Sequence, residues 1–389
     1  MSVMKPLLGA LLVALCAGMP VSAQELTIHH LSVARDLPPT LSNLDPRPDG
    51  LSRDGAAVGL ADNATTGRFM GQSWELAETI VELGDDPLVA ARAALADTPF
   101  LVIDAPAKTV AAIAVLPEAQ GAILFNATES ATSLREEACA ENLLHTAPST
   151  AMLTDALAQF LVMRRWDALP MIVGTYPEDE VLAASIRASL AKFGLEVAEE
   201  KTWAFDADMR RNASQEVPLF TQGFGDYDAL LVADALDDFA RYIPYNTWLP
   251  RPVVGSEGLL PTAWAPVVEA WGAAQLQSRF EEEAGRDMEP EDYGAWAAVR
   301  SLGEAVTRTG SAEPATLRAF MLGSEFELAG FKGRPLTFRA WNGQLRQPIP
   351  LVTERALVAS APLEGFLHQT TELDTLGVDE PETTCTAFQ

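Results

Sequence analysis

Short apolar runs alternate with amphipathic, alanine-rich stretches along most of the chain, a pattern that predicts βαβ units around parallel sheets. Residues 26–33 read as a first strand and 55–63 as the start of a helix. Residues 75–81 follow as a strand, then 86–96 as a helix that Asp86 can cap and Pro87 can open. A strand over 100–103, a helix over 109–116 and a strand over 122–125 complete this series. Each strand ends in small or polar residues, and in open α/β sheets that edge is where ligands bind.

A second series begins near Thr150 with a helix over 152–166, a strand over 171–173, a helix over 180–193 and a strand over 196–203. Residues 229–232 and 253–254 add two short apolar strands. From 264 to 307 the period turns helical, with Trp271, Phe280, Trp296, Val299 and Leu302 as its large apolar groups. Residues 335–338 and 349–358 read as paired strands with a turn at Asn342-Gly343. The expected fold is α/β: two Rossmann-like lobes with central parallel sheets around a ligand cleft. The N-terminal lobe is expected over 24–147 and 259–333, and the C-terminal lobe over 148–258 and 334–370. Residues 371–389 lack periodicity and read as a tail.

The first 23 residues change the compartment. Lys5 precedes an apolar stretch over 6–19, and Val21 and Ala23 stand at −3 and −1 before Gln24, as in a cleavable signal peptide. The stretch is short of the ~20 apolar residues that span a bilayer. Cys16, preceded by Leu15, reads as part of the leader's apolar core. The mature protein is therefore expected in the periplasm.

Charge narrows the partners. The 54 Asp and Glu against 27 Lys and Arg give a net charge of −27, and loss of Lys5 with the leader makes it one unit more negative. Such a surface argues against nucleic acid, whose phosphates need a basic face, and fits a neutral or cationic partner. Hydrophobic residues at 48% of 389 are enough for two lobes. Beyond the leader stand only Cys139 and Cys385. In an oxidising compartment they form either a disulfide or two isolated thiols; their spacing excludes a C-x-x-C redox or zinc motif.

Catalytic signatures are absent: there is no phosphate-binding G-x-x-x-x-G-K-[ST], no G-x-S-x-G and no H-E-x-x-H. The one G-x-G, Gly223-Phe224-Gly225, runs into Asp226 rather than a helix-opening glycine. His29 and His30 are adjacent on a strand and so face opposite ways, and His145 and His368 lack ligand-spaced companions. No enzyme activity, metal or cofactor is expected.

Three segments in order, Gly255-Ser256-Glu257-Gly258, Ala295-Trp296-Ala297-Ala298-Val299 and 331–338 followed by Asn342-Gly343, resemble the type I periplasmic binding proteins of the branched-chain amino acid class. That resemblance implies a solute-binding component of an ABC importer, with a small molecule between its lobes and the transporter's membrane subunits as partners. It implies that Asn126-Ala127-Thr128 hold a ligand carboxylate through backbone amides and a hydroxyl, although Thr128 reads equally as a cap or turn residue. Glu257 would meet the ligand's cationic group, Trp296 its apolar part, and Asp234 would face the cleft. Where the family has a glycine and hydroxyl residues after the third strand, this chain has Asp104-Ala105-Pro106-Ala107. Asp104 there repels a carboxylate, so the pocket is expected to be re-cut. Thr66-Gly67-Arg68-Phe69, residues 144–149 and residues 251–256 resemble a branch that accompanies PQQ-dependent alcohol dehydrogenase systems. That likeness implies, as an alternative role, an accessory protein that binds a cation or a periplasmic quinoprotein dehydrogenase.

Overall fold

Strand pairing divides the chain into two parallel sheets of the same winding. The computed structural model describes residues 24–38, 47–204 and 209–389; the expected leader, 1–23, lies outside them. The first series comprises β1 (Gln24–Val33), α1 (Arg53–Met70), β2 (Gln72–Val81), α2 (Pro87–Asp97), β3 (Phe100–Asp104), α3 (Ala107–Ala114), β4 (Ile123–Asn126) and β5 (Leu143–His145). Its strands pair in parallel in the order β2-β1-β3-β4-β5. The second comprises α4 (Thr150–Arg164), β6 (Met171–Val173), α5 (Pro177–Lys192), β7 (Glu200–Thr202), α6 (Met209–Gln222), β8 (Leu230–Ala233) and β9 (Val253–Gly255), in the parallel order β7-β6-β8-β9. The two-lobed α/β architecture expected from the pattern is present.

Local chemistry sets the ends of these elements. The Leu88 N–H donates to the Asp86 carboxylate at 2.9 Å and Pro87 opens α2, as the sequence indicates. All five residues of β3 are buried, because a central parallel strand is covered on both faces. Alternate side chains feed different cores. Val102 packs with Ile28, Phe125 and α1, whereas Leu101 and Ile103 pack with Leu124, Val110 and Ile113. The second sheet is wrapped likewise. Met171, Val173 and Leu231 join Leu157, Leu161 and Ile186, and Ile172 and Val232 join Trp203, Val217 and Phe239.

The chain then runs through β10 (Leu260–Pro261), α7 (Ala273–Ala284), α8 (Pro290–Thr309), α9 (Pro314–Met321), β11 (Leu328–Ala329), β12 (Pro335–Phe338), β13 (Leu345–Arg346), β14 (Ile349–Thr353) and β15 (Ala356–Ala361). Helix α8 returns to the first lobe and lies on α1, where glycines allow close approach. A β-carbon at Gly55 would collide with the Asp292 backbone, and one at Gly294 with the Ala127 carbonyl.

The segments that cross between lobes are tied by buried polar groups. Gln344 Nε2 donates to the Ala147 carbonyl at 3.0 Å and Gln347 Nε2 to the Thr146 carbonyl at 2.8 Å. The buried Arg135 guanidinium donates to Gln344 Oε1 and to the carbonyls of Glu129, Ala131 and Ala147, which satisfies it without a carboxylate. Burial lowers its pKa to about 9.

Three features depart from the sequence pattern. The late strands form two hairpins, not one: β12 turns at Asn342-Gly343 to pair with β13, and β14 pairs with β15. A boundary between 333 and 334 falls inside the small β11-β12-β13 sheet, whose Leu336, Phe338 and Leu345 pack in the first lobe's core. The aperiodic C-terminal segment is docked. Leu376 sits in the second lobe's core, Phe388 packs against the first, and Cys385 is bonded to Cys139 with Cα atoms 5.8 Å apart.

Candidate functional site

Both sheets reverse their winding beside their first strand, between β1 and β3 and between β6 and β8. In such sheets the crevice outside the strands' carboxyl ends at that point is where ligands are held, because the loops diverge there. The residues at these two edges constitute the candidate site.

On the first lobe, Ser32 is paired with Asp104 across β1 and β3, and Ile103 with Asn126 across β3 and β4. This register gathers three polar side chains around one carboxylate. Arg35, just past β1, donates from Nη1 to Asp104 Oδ1 at 2.6 Å and from Nη2 to Thr128 Oγ1 at 3.1 Å. Thr128 Oγ1 in turn donates to Asp104 Oδ1 at 2.8 Å, and Ser32 Oγ to Asp104 Oδ2 at 3.2 Å. The Asp104 side chain is 7% exposed and that of Arg35 28%, so the carboxylate lies beneath the guanidinium. A second acid stands close by: burial pushes the Glu291 carboxyl in the first turn of α8 upward, and Asp104's charge adds to the push. His30 Nε2 lies 3.0 Å from Ser52 Oγ, and burial lowers this imidazole to about 4, so it is neutral here.

Asn126 and Ala127 serve the scaffold of this edge. The Asn126 amide, fully buried, donates to the Glu129 carbonyl at 2.8 Å and accepts the Glu129 N–H at 3.0 Å, which folds the loop. The Ala127 N–H donates to the Ile103 carbonyl at 3.1 Å. That amide, expected to meet a ligand, is engaged within the sheet.

On the second lobe the Asp234 carboxylate accepts the N–H groups of Asp238, Phe239 and Ala240 at 2.9, 2.8 and 2.7 Å. It holds its own loop, and its N–H donates to Ser256 Oγ at 2.9 Å. Asp179, buried in the first turn of α5, accepts the Ala235 N–H at 2.7 Å and the Tyr176 N–H at 2.9 Å. Burial pushes its carboxyl upward, and the charges of Asp234 and Asp238 add to that. Glu257, past the end of β9 and half-buried, accepts the N–H of Gly258 at 3.0 Å.

Trp296 requires a correction. It lies in the core between α1 and α8, 1% exposed, with rings of Tyr293 and Phe331 each 5.6 Å away, and its indole N–H donates to Asp62 at 3.0 Å. The helix face that carries it turns inward because Gly55 and Gly59 let α1 approach. The structure thus brings Asp104 and Thr128 together, sets Glu257 and Asp234 on the other lobe, and leaves Trp296 apart. Arg35, Glu291 and Asp179 were not apparent as site residues. Arg35 is a lone basic residue immediately after a strand, and that position was its one sequence signal.

No protein-family model and no curated protein matches the chain. Solved structures similar to it are alike in fold at low identity. A branched-chain amino acid ABC transporter periplasmic ligand-binding protein from Burkholderia xenovorans has TM-score 0.73 at 14% identity, over 94% of this chain and 100% of that one. The leucine-, isoleucine-, valine-, threonine- and alanine-binding protein from Brucella ovis, in a closed conformation, has TM-score 0.66 at 14% identity, over 87% and 93%. An ABC transporter solute-binding protein from R. palustris in complex with benzoate has TM-score 0.62 at 14% identity, over 93% and 99%. The fold is that of type I periplasmic binding proteins.

Proposed function

We propose that the chain is the periplasmic solute-binding component of an ABC importer, holding a small molecule between its lobes and presenting it to the transporter's membrane subunits. The observation that carries this reading is the repeated winding. Each lobe presents the switch point of a doubly wound sheet, and the polar crossing segments form a hinge about which the two can close. Neighbours of this fold that bind leucine and benzoate support it. In this reading Glu257 and the Arg35–Asp104–Thr128 group face the ligand, and Asp234 and Asp179 shape the loops of the second lobe.

A thermal-shift screen over amino acids, alcohol-derived acids, quinone cofactors and di- and trivalent cations tests it. A ligand at 100 times its Kd adds about 2.7 kcal/mol to stability, so a true ligand raises the melting temperature saturably. If none does so while a quinoprotein dehydrogenase co-purifies, the importer reading fails and the accessory role takes its place.

A further inference from the structure

We infer that Asp104 is a built-in carboxylate that occupies the anion-binding donors of the first lobe, so that the solute of this protein presents no free carboxylate to that edge. This inference rests on the reading of the chain as a solute-binding protein.

A carboxylate held out of water must have its hydration replaced. Its two oxygens require several converging donors, best of all a guanidinium and hydroxyls, to replace the water it loses. The first lobe has such donors at its switch point: Arg35 Nη1, Thr128 Oγ1 and Ser32 Oγ. All three converge on Asp104, at 2.6, 2.8 and 3.2 Å, and the remaining Arg35 contact, Nη2 to Thr128 Oγ1 at 3.1 Å, locks the hydroxyl in place. An incoming carboxylate would therefore find its donors satisfied and a negative charge beneath them. Glu291 stands close by as a second acid. Like charges brought together out of water repel, and the donors aimed at Asp104 are directed away from a second carboxylate. What this edge accepts is a neutral group that lies against the guanidinium face, or a donor, neutral or cationic, that reaches the carboxylate oxygens. The chain's net charge of −27 agrees with that polarity.

Asp104 is thus a specificity-determining residue, and removing it should convert the site. Asp104→Ala frees Arg35 and Thr128. Asp104→Ala combined with Glu291→Gln also removes a second acid coupled to Asp104 and Arg35. Isothermal titration calorimetry with acetate, benzoate and L-leucine on the wild type and both variants reads the change. The expected result is that the double variant binds acetate or benzoate at least about tenfold more tightly than the wild type. Adding Arg35→Ala should abolish that gain, and saturable stabilisation of the double variant by acetate shows that the folded protein binds it. Tight wild-type binding of L-leucine or benzoate, left undiminished by Asp104→Ala, overturns the inference and leaves the importer reading standing. Failure of every screened solute on the wild type, with acetate still gained by the variant, overturns the importer reading alone. A folded double variant with no gain for acetate or benzoate also overturns the inference.

Discussion

Individual buried groups set how the protein answers pH and substitution. His30 is buried against Ser52 and its pKa is lowered from 6.5 to about 4. Its folded value therefore lies below its unfolded one. As pH falls through that window the unfolded chain takes up a proton that the folded chain refuses, so stability is lost on acidification. The full shift corresponds to about 3 kcal/mol. Nuclear magnetic resonance should show this imidazole titrating near the lower value. His30→Gln should flatten the stability profile between pH 6.5 and 4, measured by urea unfolding; an unchanged slope would place the shift elsewhere. A second outcome concerns Glu257, whose carboxylate accepts the Gly258 N–H at 3.0 Å. With a cationic solute, Glu257→Gln should weaken binding by at least about tenfold, the equivalent of one charge-assisted hydrogen bond. Unchanged affinity would retire the assignment. Residues were the hardest level to read in the sequence. Asp104 and Thr128 stand at strand ends and could be named, whereas Arg35 acquires meaning only through the Ser32–Asp104 register.

Elements were the most legible level, because their signals are local. Asp86-Pro87 marks the start of α2, and the uninterrupted apolar run of β3 marks a strand covered on both faces. Three-residue β5 was not anticipated, since its Leu143 and Leu144 have too little length to show a period. Helix α6 escaped because Pro218 lies inside it and polar residues fill its first turns. The α1–α8 contact was also silent, for a glycine in a helix records only the absence of a side chain. The equally close fit of α8 against the loop after β4 can be tested. Gly294→Ala raises intrinsic helix propensity by about 1 kcal/mol, yet its methyl group would meet the Ala127 carbonyl. Overpacking should win, with a net loss of about 1–3 kcal/mol in chemical denaturation. Because Ala127 precedes Thr128, the same variant should weaken solute binding. A stabilised Gly294→Ala protein would show that the two segments part at little cost.

At the scale of the whole molecule, the C-terminal segment joins the two lobes. Its first half is fixed to the second lobe: the Gly377 N–H donates to Asp155 at 2.8 Å, Lys192 reaches the Gly377 carbonyl at 2.8 Å, and Leu376 is buried. Asp374, 1% exposed at its side chain, accepts from Arg339 at 2.9 Å and Arg346 at 2.8 Å. Its second half is fixed to the first lobe, where Glu136 accepts the Thr384 N–H at 2.6 Å and Cys385 bonds Cys139, 246 residues away in sequence. Such anchors are non-local, which is why the segment has no period and reads as a tail. The two halves should respond differently to loss of the disulfide. Closing a loop that long contributes about 2–5 kcal/mol to stability, so Cys139→Ser with Cys385→Ser should lower the melting temperature measurably. Hydrogen exchange should then rise over 380–389, where one carboxylate and the Phe388 ring remain as anchors. It should stay slow over 372–379, because leaving would expose Leu376 and strand Asp374's two arginines, a cost of about 3–5 kcal/mol for a broken buried pair. Equal loss of protection along both halves would mean that the disulfide alone holds the segment.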